Sequence, residues 1–107
     1  MLEQVVLVLT TLPADGDAEK LAATLIEERL AACVNILPPM RSVYRWHGKV
    51  ETADERQLVI KTSFDRMSAL EKRVKELHPY EVPEFLALTV NHTATDYLAW
   101  LADSTRP

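Results

Sequence analysis

The order of its apolar patterns constrains this 107-residue chain more than any other feature. Two segments repeat apolar residues with the period of an α-helix, and short apolar runs typical of strands lie before, between and after them. In the first segment these residues fall at i, i+3, i+4, i+7, i+8 and i+12 from Ala18 to Leu30, which predicts a helix that ends near Ala31. The second segment carries Met67, Leu70, Val74 and Leu77. Pro79 disfavours helical geometry in the residue before it, so this helix ends by His78.

The strand-like runs predict a sheet with one long hairpin. In chain order they cover residues 4–9, 34–37, 41–46, 57–62 and 85–90. Pro38-Pro39 interrupts the middle of the series, because proline cannot donate a ladder hydrogen bond. Gly48 supplies the backbone freedom of a turn between residues 46 and 50. We therefore predict a long, bent hairpin with a corner at Pro38-Pro39.

The predicted elements follow one another as strand, helix, two strands of the hairpin, helix, strand and a last helix. The first six have the order of a ferredoxin-like fold. We predict an α+β protein with an antiparallel sheet, βαββαβ with an extra C-terminal helix, as a single domain over residues 1–107. The predicted helix caps are Asp15 or Asp17, then Asp65, then Thr93. A long hairpin leaves an exposed strand edge, which another copy of the chain can cover, so we expect a closed oligomer.

Composition excludes several classes of function. The chain has 12 Lys and Arg against 16 Asp and Glu, so its net charge is −4. This balance disfavours nucleic-acid binding, which depends largely on attraction to phosphate. Gly16 and Gly48 are its only glycines, too few for a phosphate loop or a dinucleotide-binding fingerprint. A catalytic nucleophile needs a base within hydrogen-bond reach, and no local pattern supplies one, so we do not expect an enzyme.

The sequence also predicts a cytoplasmic location without a membrane span. No apolar run approaches the roughly 20 residues that cross a bilayer. The first four residues lack the basic stretch and the cleavage site of a signal peptide. Cys33 is the only cysteine, so no disulfide can form within the chain.

Five stretches of the sequence resemble a known family in order and spacing. They are 30–36 (LAACVNI), the pattern Ser42-x-Tyr44-x-Trp46-x-Gly48, Lys61-Thr62, 78–84 (HPYEVPE) and Asp96-Tyr97-Leu98-x-Trp100-Leu101. The resemblance is to the CutA family of divalent-cation tolerance proteins and covers essentially the full length. It implies a ferredoxin-like subunit similar to the PII signalling proteins and a homotrimer in which the long hairpins join the three sheets. It also implies a role in tolerance to copper and other divalent metals.

Three residues are candidate metal ligands. Cys33 offers a soft thiolate for copper, although an unpaired cysteine among apolar neighbours is equally a small buried hydrophobe. His78 offers an imidazole, or a side chain that bonds the last carbonyls of its helix. Glu81 offers a carboxylate in the following loop, where a solvated acid is the alternative. The expected cofactor is copper or another divalent cation.

Two further sets of residues are candidates for an interface and for a cleft. Tyr44 and Trp46 share one face of a strand and are expected to pack on a neighbouring subunit. Arg45 on the other face is expected to pair with nearby acids or to stay solvated. The candidate cleft residues are Lys61, Tyr80, Tyr97 and Trp100. The three aromatic residues are expected to cluster as core or as a wall between subunits, and Lys61 is expected to face an anionic ligand, by analogy with PII-like trimers.

Two functions remain open at this point. The first is a non-catalytic homotrimer of copper or divalent-cation tolerance that binds metal ions. The alternative is a PII-like signalling or scaffold trimer that binds a small anionic ligand or a partner protein in clefts between subunits. Neither involves nucleic acid or a membrane.

Overall fold

The computed structural model describes residues 4–107, so the first three residues of the predicted domain lie outside it. Its elements are β1 (Val5–Pro13), α1 (Ala18–Glu27), β2 (Cys33–Ile36), β3 (Met40–Trp46), β4 (Lys49–Ser63), α2 (Met67–Leu77), β5 (Leu86–Thr89) and α3 (Thr95–Ser104). A short 3-10 turn at Phe64–Arg66 precedes α2. All strand pairs are antiparallel, in the order β2-β4-β1-β5, and β3 also pairs with β4. This architecture confirms the predicted α+β ferredoxin-like fold with its extra C-terminal helix.

The middle hairpin is one long strand paired with two shorter ones. β2 pairs with residues 58–61 of β4 and β3 pairs with residues 49–55, so both lie along the same edge of β4. The break between them contains Pro38-Pro39, as predicted. β4 itself runs unbroken for 15 residues. At the tip, His47 and Gly48 have φ angles of 50° and 76°, the geometry of a two-residue turn that matches the twist of the strands.

β1 extends past the end expected from sequence and includes Pro13. The backbone N–H of Ala14 bonds to the carbonyl of Asp54 on β4. Successive residues of a strand direct their N–H groups to opposite sides, so the nitrogen of Pro13 faces away from β4. β5 pairs only with residues 6–9 of β1. The missing N–H of Pro13 therefore interrupts no ladder hydrogen bond.

α1 ends earlier than Ala31, the end expected from its apolar stripe. Arg29 has a φ of 59°, in the left-handed region. The N–H of Leu30 bonds to the carbonyl of Leu25, and the N–H of Arg29 bonds to that of Ile26. These two bonds form a Schellman cap, which usually has glycine at the left-handed position. The apolar spacing continued to Leu30 because that residue packs in the same core as Leu25.

The predicted helix caps have mixed outcomes. The Asp17 carboxylate accepts a hydrogen bond from the N–H of Lys20 and caps α1. The predictions for Asp65 and Thr93 are wrong, since α2 and α3 begin without a side-chain cap. Asp65 lies inside the 3-10 turn, where its carboxylate accepts a hydrogen bond from Ser63.

The two faces of the sheet differ in what covers them. On the covered face, α1 and α2 pack over strand residues that include Val6, Val8, Leu58 and Ile60. The open face carries the residues that alternate with them, namely Leu7, Leu9, Val59, Leu86 and Leu88. α3 protects only one end of the open face, where the buried Leu101 packs with Val5 and Ala32. Leu86 and Leu88 are 55% and 48% exposed.

Candidate functional site

A cleft of about 860 Å³ lies between the hairpin and the loop 79–84 that follows α2. One wall is the side of β3 that carries Met40, Ser42, Tyr44 and Trp46. The floor comes from Thr11 on β1 and from Glu55 and Gln57 on β4. The loop forms the opposite wall and contributes Tyr80, Glu81 and Glu84. We refer to this feature as the hairpin cleft.

His78 holds the loop against the sheet. Its side chain is 8% exposed, at the end of α2. Nδ1 accepts a hydrogen bond of 3.1 Å from the backbone N–H of Tyr80, so the neutral ring carries its proton on Nε2. Nε2 then donates to the carbonyl oxygen of Thr11 at 2.6 Å. Both ring nitrogens are therefore engaged, and this conformation leaves no lone pair of His78 for a metal ion.

Tyr80 and Glu55 form the polar floor of the hairpin cleft. The phenol of Tyr80 donates to Oε2 of Glu55 at 2.8 Å, and Glu55 is only 7% exposed. Burial, together with the hydrogen bond to Glu55 and the charge of its carboxylate, raises the pKa of Tyr80 above its ordinary value. The phenol therefore stays protonated and remains a hydrogen-bond donor at neutral pH.

A second side-chain contact fixes the other end of the loop. Nε2 of Gln57 donates to Oε2 of Glu84 at 3.0 Å and to the carbonyl of Thr10 at 2.7 Å. Gln57 thus connects β1, β4 and the loop through one amide. The loop is tied to the sheet at His78, at Tyr80 and at Glu84, so the cleft is a preformed feature of the subunit.

The lining of the hairpin cleft is acidic. Glu55, Glu81 and Glu84 all contribute to it, whereas the lining includes no Lys, Arg or His. The ion pairs found within residues 4–107 join other side chains, such as Arg41 with Asp54 and Arg73 with Glu28. The cleft thus presents a negative potential to a ligand.

The three candidate metal ligands occupy different positions. Cys33 begins β2, is half-buried and lies opposite Lys61. His78 is buried at the end of α2, and Glu81 is exposed in the loop. Within the described part of the chain, no three His, Cys, Asp or Glu side chains are close enough together to hold a metal ion. The candidates therefore do not form a three-ligand centre in one subunit, and their role in metal binding stays a prediction.

The interface candidates lie on the projecting hairpin. Tyr44 and Trp46 are 42% and 41% exposed, and both also line the hairpin cleft. Arg45 points to the other side, where its guanidinium donates to the carbonyl of Gly48 at 3.3 Å. The ion pair that sequence reasoning sought for Arg45 is made instead by Arg41, with Asp54 at 3.2 Å.

Of the four candidate cleft residues, Tyr80 lines the hairpin cleft. The expected cluster of three aromatic residues divides into two pairs. Tyr80 packs against His78 with ring centroids 4.9 Å apart, and Tyr97 packs against Trp100 at 5.2 Å on α3. Lys61 is half-buried on the open face. A cleft between subunits that contains Lys61, Tyr97 and Trp100 stays a prediction.

Sequence reasoning missed Glu55 and Gln57 as residues of the cleft. Glu55 was one of the nearby acids expected to pair with Arg45, together with Glu51 and Asp54. One local signal was present, because residues two apart on a strand share a face, which places the polar side chains of Glu55 and Gln57 next to each other. The partner of Glu55 is 25 residues away in sequence, which no local pattern indicates. None of the helices within residues 4–107 has the length and apolar character needed to span a bilayer.

Comparison with known proteins places the chain in a family. Residues 6–104 match the family model described as CutA1 divalent ion tolerance protein. A divalent-cation tolerance protein CutA from Thermus thermophilus is 46% identical over 104 residues, which cover 97% of this chain and 99% of the relative. The crystal structure of CutA1 from Oryza sativa is 45% identical in sequence and has a TM-score of 0.92. This match covers 96% of this chain and 94% of the Oryza chain. The structure of the periplasmic divalent cation tolerance protein CutA from Archaeoglobus fulgidus is 31% identical in sequence and has a TM-score of 0.91. This match covers 95% of this chain and 99% of the Archaeoglobus chain. The chain therefore belongs to the CutA1 divalent ion tolerance family.

Proposed function

We propose that the protein is a non-catalytic homotrimer of divalent-cation tolerance that binds copper or another divalent metal ion. The observation that carries the proposal is membership of a family named for tolerance to divalent ions, matched over residues 6–104. The family name describes tolerance and not a catalysed reaction, which supports a non-catalytic role. We also propose that residues 1–107 form a single domain.

The open face supports assembly of several copies. It carries an apolar surface centred on Leu86 and Leu88, both about half exposed, and exposed apolar patches typically mark interaction surfaces. The hairpin tip adds Val43 and Val50, which are 68% and 70% exposed. A trimer in which each hairpin lies along a neighbouring subunit covers both regions, and burial of this apolar area stabilises the assembly.

We propose that metal ligands come from more than one subunit. The described residues contain no group of three ligands, whereas copper sites use several soft or imidazole ligands. Cys33 is the strongest candidate because its register with Lys61 and Leu7 places it on the open face. His78 and Glu81 complete the candidate set, and His78 contributes only if its bond to Thr11 breaks.

Native mass spectrometry tests both parts of this proposal. We expect three times the subunit mass for the purified protein. Sub-stoichiometric copper, added with a competing chelator present, is expected to bind in steps up to one ion per subunit. A trimer that leaves all the copper on the chelator would refute strong copper binding, and a monomer at working concentration would refute the assembly.

A substitution assigns the ligand. We expect Cys33→Ser to weaken copper binding while the trimer persists, because serine retains the size but not the soft thiolate. His92→Asn is the matched control, since His92 is an exposed histidine outside the candidate set. Equal copper binding by both variants would remove Cys33 from the site.

The alternative function is a PII-like trimer that binds a small anionic ligand or a partner protein between subunits. The hairpin cleft gives this alternative a preformed cavity, but its acidic lining opposes an anion there. Thermal denaturation with panels of metals, nucleotides and organic anions separates the two functions, because a ligand that prefers the folded trimer raises its melting temperature. Stabilisation by an anion but not by copper would favour the alternative.

We also propose a cytoplasmic location. Its support is the single cysteine without an intrachain partner, since disulfides are frequent in oxidising compartments. The Archaeoglobus fulgidus relative is named periplasmic, so cell fractionation is the deciding measurement.

A further inference from the structure

We propose that the hairpin cleft binds a small organic cation, a primary ammonium or a guanidinium group, with Glu55 as its anionic anchor. Its anchor, Glu55, is not one of the proposed metal ligands, although Glu81 belongs both to that set and to the lining of the cleft. The proposal rests on a buried carboxylate without a counter-charge, on an aromatic wall beside it and on the charge of the lining.

The Glu55 carboxylate is largely buried and has no counter-charge within the part of the chain that the structure describes. It is more than nine-tenths buried at the floor of the cleft. The only hydrogen bond that its carboxylate receives from residues 4–107 is the one from Tyr80 to Oε2, so Oε1 has no partner there. No Lys, Arg or His within residues 4–107 forms an ion pair with it. Oε1 is not one of the fully enclosed unpaired atoms of residues 4–107, so it remains accessible from the cleft. There a cationic N–H donor supplies the hydrogen bond and the counter-charge that a largely buried carboxylate needs.

Two aromatic side chains form a wall of the cleft. Tyr44 and Trp46 are partly exposed and line the same cleft as Glu55. The face of a Trp or Tyr ring attracts an alkylammonium or guanidinium cation and packs against its methylene groups. The volume of about 860 Å³ is within the roughly 300–1,000 Å³ of typical small-molecule sites. The wall thus adds affinity that an inorganic ion would not gain.

The charge of the lining selects the class of ligand. Glu55, Glu81 and Glu84 are present without a basic residue, which opposes anions. A hard divalent cation takes six or more oxygen ligands in a tight shell, and no group of three possible ligands occurs within the described residues. An organic cation has weaker geometric demands and uses one buried carboxylate, further acids near the rim and an apolar wall.

The floor of the cleft is prepared for such a ligand. Tyr80 donates to one oxygen of Glu55 and fixes the plane of the carboxylate. Gln57 holds Glu84 in the same way from the opposite end of the loop. Because these groups are already ordered, binding loses little additional side-chain entropy.

Calorimetric titration of the assembled protein tests the proposal, with n-butylammonium as the probe. n-Butanol is the neutral control, because it has a similar alkyl chain and lacks the charge. Ionic strength is kept constant with sodium chloride. We expect n-butylammonium to bind and to raise the melting temperature, and n-butanol to do neither. Equal behaviour of the two probes, or no binding by n-butylammonium, would overturn the proposal.

Two substitutions assign the anchor. Glu55→Gln retains the side-chain size and an acceptor for Tyr80 but removes the charge, and we expect binding to weaken by about tenfold or more. Glu27→Gln is the matched control, because it removes the same charge from an exposed site on α1 outside the cleft. Equal weakening in both variants would show a general charge effect and would contradict a site at Glu55.

Circular dichroism establishes that each variant is folded before titration. If Glu55→Gln does not fold, Glu84→Gln takes its place, since Glu84 lines the cleft at a less buried position. We expect its effect to be up to about fivefold, as for a partly exposed ion pair. Unchanged binding by Glu84→Gln would then count against the cleft as the site.

Discussion

The two faces of the sheet both carry apolar residues, but these residues differ in how far they are buried. On the covered face, Leu58 and Ile60 are fully buried beneath two helices of their own chain. On the open face, Leu86 and Leu88 remain about half exposed, although they are equally apolar. The two faces differ in how far helices of the same chain cover them and not in the apolar character of their residues. A substitution on the covered face therefore changes the stability of one subunit, whereas in the proposed trimer a substitution on the open face changes the association of subunits.

The hairpin that forms one wall of the hairpin cleft is another exposed part of the sheet. β3 and the first half of β4 are exposed along most of their length, and the molecule measures 47 Å along its longest axis. Tyr44 and Trp46 line the hairpin cleft, and in the proposed trimer they are also expected to contact a neighbouring subunit.

The largest effect is expected for Leu88→Asp on the open face. If neighbouring subunits cover this face, each subunit then buries an unpaired carboxylate, which costs several kcal/mol per ion. We expect native mass spectrometry to show loss of the trimer. Leu88→Met is the control, because a swap of similar volume is tolerated. A stable trimer of Leu88→Asp would mean that the open face is not the interface.

Leu58→Ala tests the covered face. Leu58 is fully buried, and a cavity at such a site costs about 2–5 kcal/mol of unfolding free energy. This loss belongs to the subunit, whereas a change on the open face acts through association and varies with protein concentration. Urea unfolding at several protein concentrations measures both. A Leu58→Ala loss below that range would show that the covered core relaxes around the cavity.

Tyr80→Phe tests the loop that joins the two faces. The change leaves the buried Glu55 without its hydrogen bond, and an unsatisfied buried acceptor costs about 1–3 kcal/mol. Tyr97→Phe is the control, because Tyr97 is exposed on α3. Thermal or urea unfolding at neutral pH compares the two variants, and equal stability would contradict a structural role for the Tyr80–Glu55 bond.

The same bond predicts a dependence on alkaline pH. The pKa of Tyr80 is raised in the folded protein, first by burial and then by Glu55, so the folded state retains a proton that the unfolded chain releases above its ordinary pKa of about 10. Stability from this group is complete below about pH 10 and decreases as the pH rises towards the folded pKa. Urea unfolding above pH 10 should show a shallower decrease for Tyr80→Phe than for the wild type. An identical decrease would remove Tyr80 as the cause.

The smallest effect concerns two threonines of the covered face. Both Thr10 and Thr62 are fully buried, but Thr62 donates to the carbonyl of Leu30 at 2.7 Å, whereas the hydroxyl of Thr10 has no partner within residues 4–107. We expect Thr62→Val to lose about 1 kcal/mol and Thr10→Val to be neutral or slightly stabilising. Thermal unfolding measures the difference, and equal losses would show that Thr10 also forms a hydrogen bond in solution.

The sequence alone determined the elements and their order. The apolar stripe from Ala18, the turn at Gly48 and the break at Pro38-Pro39 depend on residues near one another in the chain. Local geometry therefore specifies them. The cap of the first helix was narrowed to Asp15 or Asp17, and the structure shows Asp17. The order of the elements also predicted the ferredoxin-like antiparallel sheet, and the family motifs supported the same arrangement.

Tertiary structure decided the remaining features. The left-handed Arg29 is stabilised because Leu30 reaches the core, and Pro13 is accepted because β5 leaves that part of β1 uncovered. The hairpin cleft joins Glu55 to Tyr80 and Thr11 to His78, pairs separated by 25 and 67 residues. Such contacts form only after the sheet and loop have packed. Local propensities act over a few residues, whereas burial, charge compensation and the cover of a sheet face depend on the whole chain and its neighbours.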